Sequence, residues 1–183
     1  MTPASIITLT RIALIPAFMW AVASSYPYSA VLALLIFIVA SVTDAVDGYV
    51  ARRFNQVTNF GKFIDPLADK LLVVSALLLF IQKGQMSAWA AMIIIARELL
   101  VTSLRTVAIA EGKVMAAGWE GKLKTFIQIL CIAFLLTGQG AAELIRDSGF
   151  TWDQAAVWLM VIVTAWSGVA YLVRHGDVLR NPK

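Results

Sequence analysis

The stretch that determines the fold runs from Ile12 to Thr43 and reads IALIPAFMWAVASSYPYSAVLALLIFIVASVT. It contains no charged residue, and Tyr26, Pro27 and Tyr28 interrupt it near the middle. A helix needs about 20 mostly apolar residues to cross a bilayer. The stretch therefore predicts two transmembrane helices joined by a turn with interfacial tyrosines.

The remainder of the chain continues this pattern. Uncharged runs recur at 71–82, 84–96, 125–142 and 154–173. No internal repeat or linker interrupts them, so we expect one membrane domain over residues 1–183, an all-α bundle of six transmembrane helices. The predicted helices span 5–24, 29–50, 64–82, 87–110, 123–140 and 152–174.

The composition excludes several classes of protein. Hydrophobic residues make up 60% of the chain and charged residues 14%, whereas soluble domains have about 45–50% and about 25%. This excludes an ordinary cytosolic enzyme and a disordered regulator. The single Cys131 and the single His175 exclude an intrachain disulfide and a histidine-rich metal site.

An alternative interpretation concerns the first predicted helix. Arg11, an apolar run and Ala21-Val22-Ala23 are also typical of a secretory signal peptide with its cleavage site. Cleavage would leave five helices and would remove Thr8 and Arg11.

The basic residues predict the orientation. With the N-terminus in the cytoplasm, the opposite side holds only Lys83 and Arg146, and the positive-inside rule favours that arrangement. We therefore expect a multi-pass protein of the inner, cytoplasmic membrane, with both termini and the active site cytoplasmic. The net charge of +4 then reflects topology and attraction to membrane lipids, not nucleic acid. The cytoplasmic basic residues would be Arg11, Arg52, Arg53, Lys62, Lys70, Lys113, Lys122, Lys124, Arg174, Arg180 and Lys183.

Four aspartates form the strongest candidate site. Asp44 and Asp47 end the second predicted helix, while Asp65 and Asp69 begin the third, so each pair shares a helix face. Four neighbouring carboxylates stay ionised only with cations. Oxygen ligands favour Mg²⁺ or Mn²⁺, and two such ions suit a displacement at phosphorus.

Neighbouring residues fit a phosphorylated ligand. Gly48 would allow it close to the helix backbone, and Arg52 could hold a phosphate with its guanidinium fork. Pro66 is expected in the first turn of the third helix. The simpler alternatives are that these acids are helix-end charges, with Asp65 favoured by the macrodipole, or that they form structural ion pairs such as Asp47 with Arg52.

The pattern Asp44-x-x-Asp47-Gly48-x-x-Ala51-Arg52, eight further residues and then Gly61-x-x-x-Asp65-x-x-x-Asp69 resembles the signature of the CDP-alcohol phosphatidyltransferase family. The resemblance extends from Thr8 and Arg11 to the sixth predicted helix, and Ser5 departs from the Asn often found at its place. Three stretches are similar to the bacterial subgroup that uses glycerol 3-phosphate as acceptor. They are 58–70, Ala96-Arg97-Glu98 and Gly121-Lys122-x-Lys124-Thr125.

The resemblance implies a function. It implies a membrane enzyme, usually a homodimer, with a polar cavity open to the cytoplasm and two divalent ions. The phosphatidyl group of CDP-diacylglycerol would pass to sn-glycerol 3-phosphate by single displacement, giving phosphatidylglycerophosphate and CMP. Asp44, Asp47 and Asp65 would bind metal, and Asp69 would bind metal and act as general base. The residues implied for CDP-diacylglycerol are Thr8, Gly48, Arg52 and Thr58.

The phosphate of the acceptor also needs cations. Arg97 and Arg105 fall within the fourth predicted helix, and Lys122 and Lys124 begin the fifth. We expect Arg105 and Lys124 to bind glycerol 3-phosphate, with Arg97 partly paired to Glu98. Positive-inside anchoring is the alternative role for Lys122 and Lys124.

Three other functions remain open at this stage. A cardiolipin synthase that uses CDP-diacylglycerol, or a relative with another alcohol, would keep the same metal site. A divalent-cation transporter would also place carboxylates near the membrane, although these lie at its cytoplasmic end. A purely structural membrane protein would not need them.

Overall fold

The structure, a computed structural model, describes residues 3–24, 26–53, 59–110, 118–137 and 152–174, and the side chains of 3–8, 44–53, 59–66, 69, 109 and 110 lie outside that description. Six helices and no strand occur in these ranges, which confirms the predicted class and number of elements. The helices are α1 (Pro3–Ala23), α2 (Ser29–Arg53), α3 (Asn59–Gln82), α4 (Ala88–Ala110), α5 (Trp119–Thr137) and α6 (Trp152–Arg174).

Two helices begin a full turn or more before the start that the apolar pattern predicts. α5 begins at Trp119 and α3 at Asn59, because polar and charged residues form their first turns. Pro66 is therefore the eighth residue of α3, and the prediction that it lies in the first turn is wrong. Asp65 is the seventh residue, beyond the first turn in which the macrodipole acts. The macrodipole alternative therefore does not account for Asp65.

The helices pack around a shared apolar core. α1 contacts α2 and α3, α5 contacts α2 and α6, and α4 contacts α3 and α6. Phe18 of α1 and Phe37 of α2 are fully buried, with ring centroids 5.9 Å apart. Ala33 and Ala40, also fully buried, repeat every seven residues on α2 and allow neighbouring helices to approach closely.

Part of the described chain agrees with the prediction of membrane-spanning helices. On length and composition alone, one helix there can cross a membrane: Trp152–Arg174, with a mean hydropathy of 2.0. The apolar segments Leu9–Ala23, Ser29–Thr43 and Lys70–Gln82 are each 10–17 residues long. Helices α4 and α5 carry charged residues along their length, among them Arg97, Glu98 and Lys124. The six-span arrangement therefore remains a prediction.

Candidate functional site

The four signature aspartates lie on two helices that contact each other. Asp44 and Asp47 belong to α2, and Asp65 and Asp69 belong to α3. Their side chains are outside the described residues, so their metal-binding role stays a prediction. Elsewhere in the described part of the chain, no group of three or more His, Cys, Asp or Glu side chains could hold a metal ion.

The side chains predicted to bind CDP-diacylglycerol also lie outside the described residues, so their roles stay predictions. Thr8 belongs to α1, and Gly48 and Arg52 belong to α2, with side-chain positions outside the described residues. Thr58 lies in the segment 54–58, which is wholly outside them.

A basic cavity of about 510 Å³ lies between α3, α4, α5 and α6. All four residues predicted for the acceptor line it: Arg97, Arg105, Lys122 and Lys124. Two further cations and two acids complete its charged lining, namely Lys70, Arg174, Glu98 and Glu120. Six positive charges against two negative ones attract anions, and a cleft concentrates that attraction. Lys70 directly follows Asp69, so the cavity borders the helix that carries half of the signature.

Glu98 joins three helices at the floor of this cavity. Its Oε2 lies 3.3 Å from the Lys70 Nζ on α3, and its Oε1 lies 3.3 Å from the Arg97 Nη1 on α4. The Lys124 Nζ on α5 forms a closer ion pair with the same Oε1. The side chains of Lys124 and Glu98 are only 5% and 13% exposed. The expected pairing of Arg97 with Glu98 is therefore present, within a larger network.

Two arginines of the cavity keep donors available. The Nε atoms of Arg97 and Arg105 are buried and have no hydrogen-bond partner. Because a buried donor without a partner is costly, an anion that accepts from these groups would be favoured. Gly168 of α6 makes room for Arg97, since a Cβ at Gly168 would lie 2.9 Å from the Arg97 Cγ.

An exposed ion pair links α5 to α6 at the rim. The Arg174 Nη2 lies 2.5 Å from the Glu120 Oε1, and the Nη1 donates to Oε2 at 3.2 Å. Gly118 lies directly against this pair, because a Cβ there would collide with the Glu120 carboxylate. Exposed pairs contribute little stability, about 0–1 kcal/mol, so the pair mainly shapes the rim.

A small cavity of about 90 Å³ adjoins the basic cavity. The two share Lys70, Glu98 and Lys124 in their walls. Beyond these, Arg11 of α1 and Gln128 of α5 line only the small cavity, and both are almost fully buried.

Sequence reasoning missed three residues of this region: Lys70, Gln128 and Arg174. Lys70 and Gln128 could have been found, because one adjoins Asp69 and the other follows Lys124 by one helical turn in an otherwise apolar run. The pairing of Glu98 with Lys124 depends on how separate helices pack, which no local pattern encodes. The same is true of the position of Arg174 in the wall of the basic cavity.

Comparison with known proteins identifies the family. The model of the CDP-alcohol phosphatidyltransferase family matches residues 1–166. A relative from Bacillus subtilis, named CDP-diacylglycerol–glycerol-3-phosphate 3-phosphatidyltransferase, is 42% identical over 96% of this chain and 95% of its own length. One of the same name from Haemophilus influenzae is 37% identical over 96% and 94%. A probable phosphatidylglycerophosphate synthase from Mycobacterium tuberculosis is 38% identical over 93% and 80%. The chain belongs to the CDP-alcohol phosphatidyltransferase family, as the signature predicted.

Proposed function

We propose that the chain transfers the phosphatidyl group of CDP-diacylglycerol to sn-glycerol 3-phosphate, releasing CMP and forming phosphatidylglycerophosphate. The observation that carries this proposal is the basic cavity beside α3, which suits an acceptor that brings its own phosphate. The names of the relatives from Bacillus subtilis and Haemophilus influenzae agree with this acceptor.

Arg97, Arg105, Lys122 and Lys124 bind the phosphate of glycerol 3-phosphate in this proposal. The unpartnered Nε groups of Arg97 and Arg105 supply donors, and charge-assisted hydrogen bonds to phosphate are among the stronger ones. Lys124 is held by Glu98 in a fixed position. The acceptor phosphate thus meets cations that are already ordered.

The aspartates provide the donor set for two divalent cations, Mg²⁺ or Mn²⁺. Asp44, Asp47, Asp65 and Asp69 offer only oxygen ligands, which suits these hard ions, and they lie on the contacting helices α2 and α3. When bound, the ions neutralise charge on the pyrophosphate and polarise the phosphorus under attack. Gly48, Arg52, Thr8 and Thr58 are assigned to the CDP group.

The reaction is a single displacement. Asp69 takes the proton from the 1-hydroxyl of glycerol 3-phosphate as general base. The hydroxyl oxygen forms a bond to the β-phosphorus of CDP-diacylglycerol. The bond from that phosphorus to the bridging oxygen breaks, and CMP leaves with this oxygen.

The protein works as a six-helix membrane domain over residues 1–183, with its termini and cavities facing the cytoplasm. The outer face of α6 supports a lipid environment, because Trp158, Ile162 and Val169 are 59%, 61% and 61% exposed. Large exposed apolar faces of this kind are typical of contact with a membrane or another subunit. A homodimer, as the family resemblance implies, would cover part of such a face.

The test is CMP release by the purified protein in detergent, with CDP-diacylglycerol, Mg²⁺ and one acceptor at a time. We expect release with glycerol 3-phosphate, no release with unphosphorylated glycerol, and loss of release after chelation. Release with phosphatidylglycerol alone would make the protein a cardiolipin synthase. Failure with every alcohol, together with cation flux into proteoliposomes, would favour a transporter.

A further inference from the structure

Gln128 is a buried amide without a hydrogen-bond partner for its donor group. It lies in α5, one turn after Lys124, and its side chain lines the small cavity. The residue is only 3% exposed, and its Nε2 is buried with no hydrogen-bond acceptor. An amide N–H in such a position is costly unless something accepts from it.

Two buried serine hydroxyls of the bundle are satisfied locally. Ser75 donates to the Leu72 carbonyl oxygen at 2.8 Å, and Ser167 donates to the Thr164 carbonyl oxygen at 3.0 Å. The amide of Gln85 reaches the Leu135 carbonyl oxygen at 3.5 Å. Gln128 differs from these because it lines a cavity, so the contents of that cavity can supply the acceptor that its Nε2 lacks.

The dimensions of the small cavity restrict those contents. Its volume of about 90 Å³ is several times the roughly 10–15 Å³ that one water needs, but far below the basic cavity beside it. Apolar side chains, among them Phe37 and Ile94, form much of its wall. The polar part of the wall is formed by residues that include Arg11, Lys70, Glu98, Lys124 and Gln128. A carbon atom bearing one hydroxyl, which both donates and accepts hydrogen bonds, fits this mixed lining.

The small cavity lies beside the cavity proposed for the acceptor phosphate. Lys70, Glu98 and Lys124 belong to both cavities, so a molecule whose phosphate occupies the basic cavity has its carbon chain next to the small one. Glycerol 3-phosphate uses its 1-hydroxyl in the reaction and keeps its 2-hydroxyl. We propose that the small cavity receives this free hydroxyl and that the Gln128 Nε2 donates to it, which makes Gln128 a specificity-determining residue. This inference rests on the proposed function.

The experiment compares two acceptors in the purified full-length enzyme. One is glycerol 3-phosphate, and the other is propane-1,3-diol monophosphate, which lacks only the 2-hydroxyl. In the unaltered protein we expect kcat/KM to be about tenfold higher for glycerol 3-phosphate, as for one net hydrogen bond. In Gln128→Met this preference should fall below twofold, because kcat/KM drops for glycerol 3-phosphate and stays unchanged for the analogue.

Controls separate this role from packing. Gln85→Met removes a half-buried amide that lines neither cavity, and it should keep the tenfold preference. Gln128→Leu provides a second apolar side chain should the methionine variant fail to fold. Equal losses for both acceptors in the Gln128 variants, or no preference in the unaltered protein, would overturn the assignment. If the unaltered protein turned over neither acceptor, the proposed function itself would be wrong, and this inference would fail with it.

Discussion

The Lys70 Nζ of α3 lies 3.3 Å from the Glu98 Oε2 of α4. Lys70 is the residue directly after the signature aspartate Asp69. The other oxygen of Glu98 is bound by Arg97 and Lys124. One carboxylate therefore connects the helix that carries Asp65 and Asp69 to the cations proposed for the acceptor phosphate. Under the proposed function, this ion network would hold the metal site and the acceptor site in a fixed position relative to each other.

Removing the Glu98 charge should destabilise the protein strongly. Glu98→Gln leaves the buried Lys124 without its carboxylate, and breaking a buried pair costs about 3–5 kcal/mol. Glu120→Gln breaks the exposed pair with Arg174 and should cost no more than about 1 kcal/mol. Thermal unfolding in detergent compares the two, and equal shifts in Tm would contradict the structural role of Glu98.

Filling the space at Gly168 should displace Arg97. A Cβ there would lie 2.9 Å from the Arg97 Cγ, and overpacking costs about 1–3 kcal/mol. We expect Gly168→Ala to lower Tm and to raise the KM for glycerol 3-phosphate. Gly121→Ala is the matched control for Tm, because nothing lies within 4 Å of a Cβ at that position of α5. Equal Tm values for the two variants would mean that α6 accommodates the methyl group without moving Arg97.

Asp69 should be needed for turnover rather than for nucleotide binding. General-base catalysis contributes about 10²–10⁴-fold, so Asp69→Asn should lower kcat by at least 100-fold while CMP still binds. Asp153→Asn, in the first turn of α6, should leave kcat unchanged. Chelation should abolish activity, and added Mg²⁺ or Mn²⁺ should restore it. Substantial activity in Asp69→Asn, or in the presence of a chelator, would contradict the assignment.

The proposed topology predicts opposite accessibilities for the two ends of the bundle. Cys131 is the single cysteine, so Cys131→Ala provides a background for new ones. An impermeant maleimide added to intact cells should label the Lys83→Cys variant, in the α3–α4 turn, and should not label Trp119→Cys, at the start of α5. Both positions are exposed in the structure. The reverse labelling pattern would invert the orientation.

The sequence predicts most of the helices because their apolar runs are long and free of charge. α6 has the predicted bounds, 152–174. The beginning of α3 could not be predicted, because Asn59, Gly61 and Lys62 interrupt the apolar pattern and Pro66 is typical of a first turn. The helix nevertheless extends through them.

The candidate site is predicted in its residue types and only in part in its arrangement. Arg97, Arg105 and Lys124 stand out because charges in apolar helices are costly and usually functional. Glu98, the carboxylate that pairs with Arg97 and Lys124, also binds Lys70 on another helix. The burial of Gln128 and its border with the small cavity likewise depend on the packing of five helices, which composition and spacing do not encode.

The most direct test of the account is a pair of KM measurements on Arg105→Ala. Arg105 lines the basic cavity and has a buried Nε without a partner. A lost hydrogen bond to a charged group costs about 1.5–3 kcal/mol, so we expect the KM for glycerol 3-phosphate to rise by roughly 10- to 100-fold. The KM for CDP-diacylglycerol should stay within twofold. An equal rise in both values would contradict the claim that the basic cavity holds the acceptor phosphate.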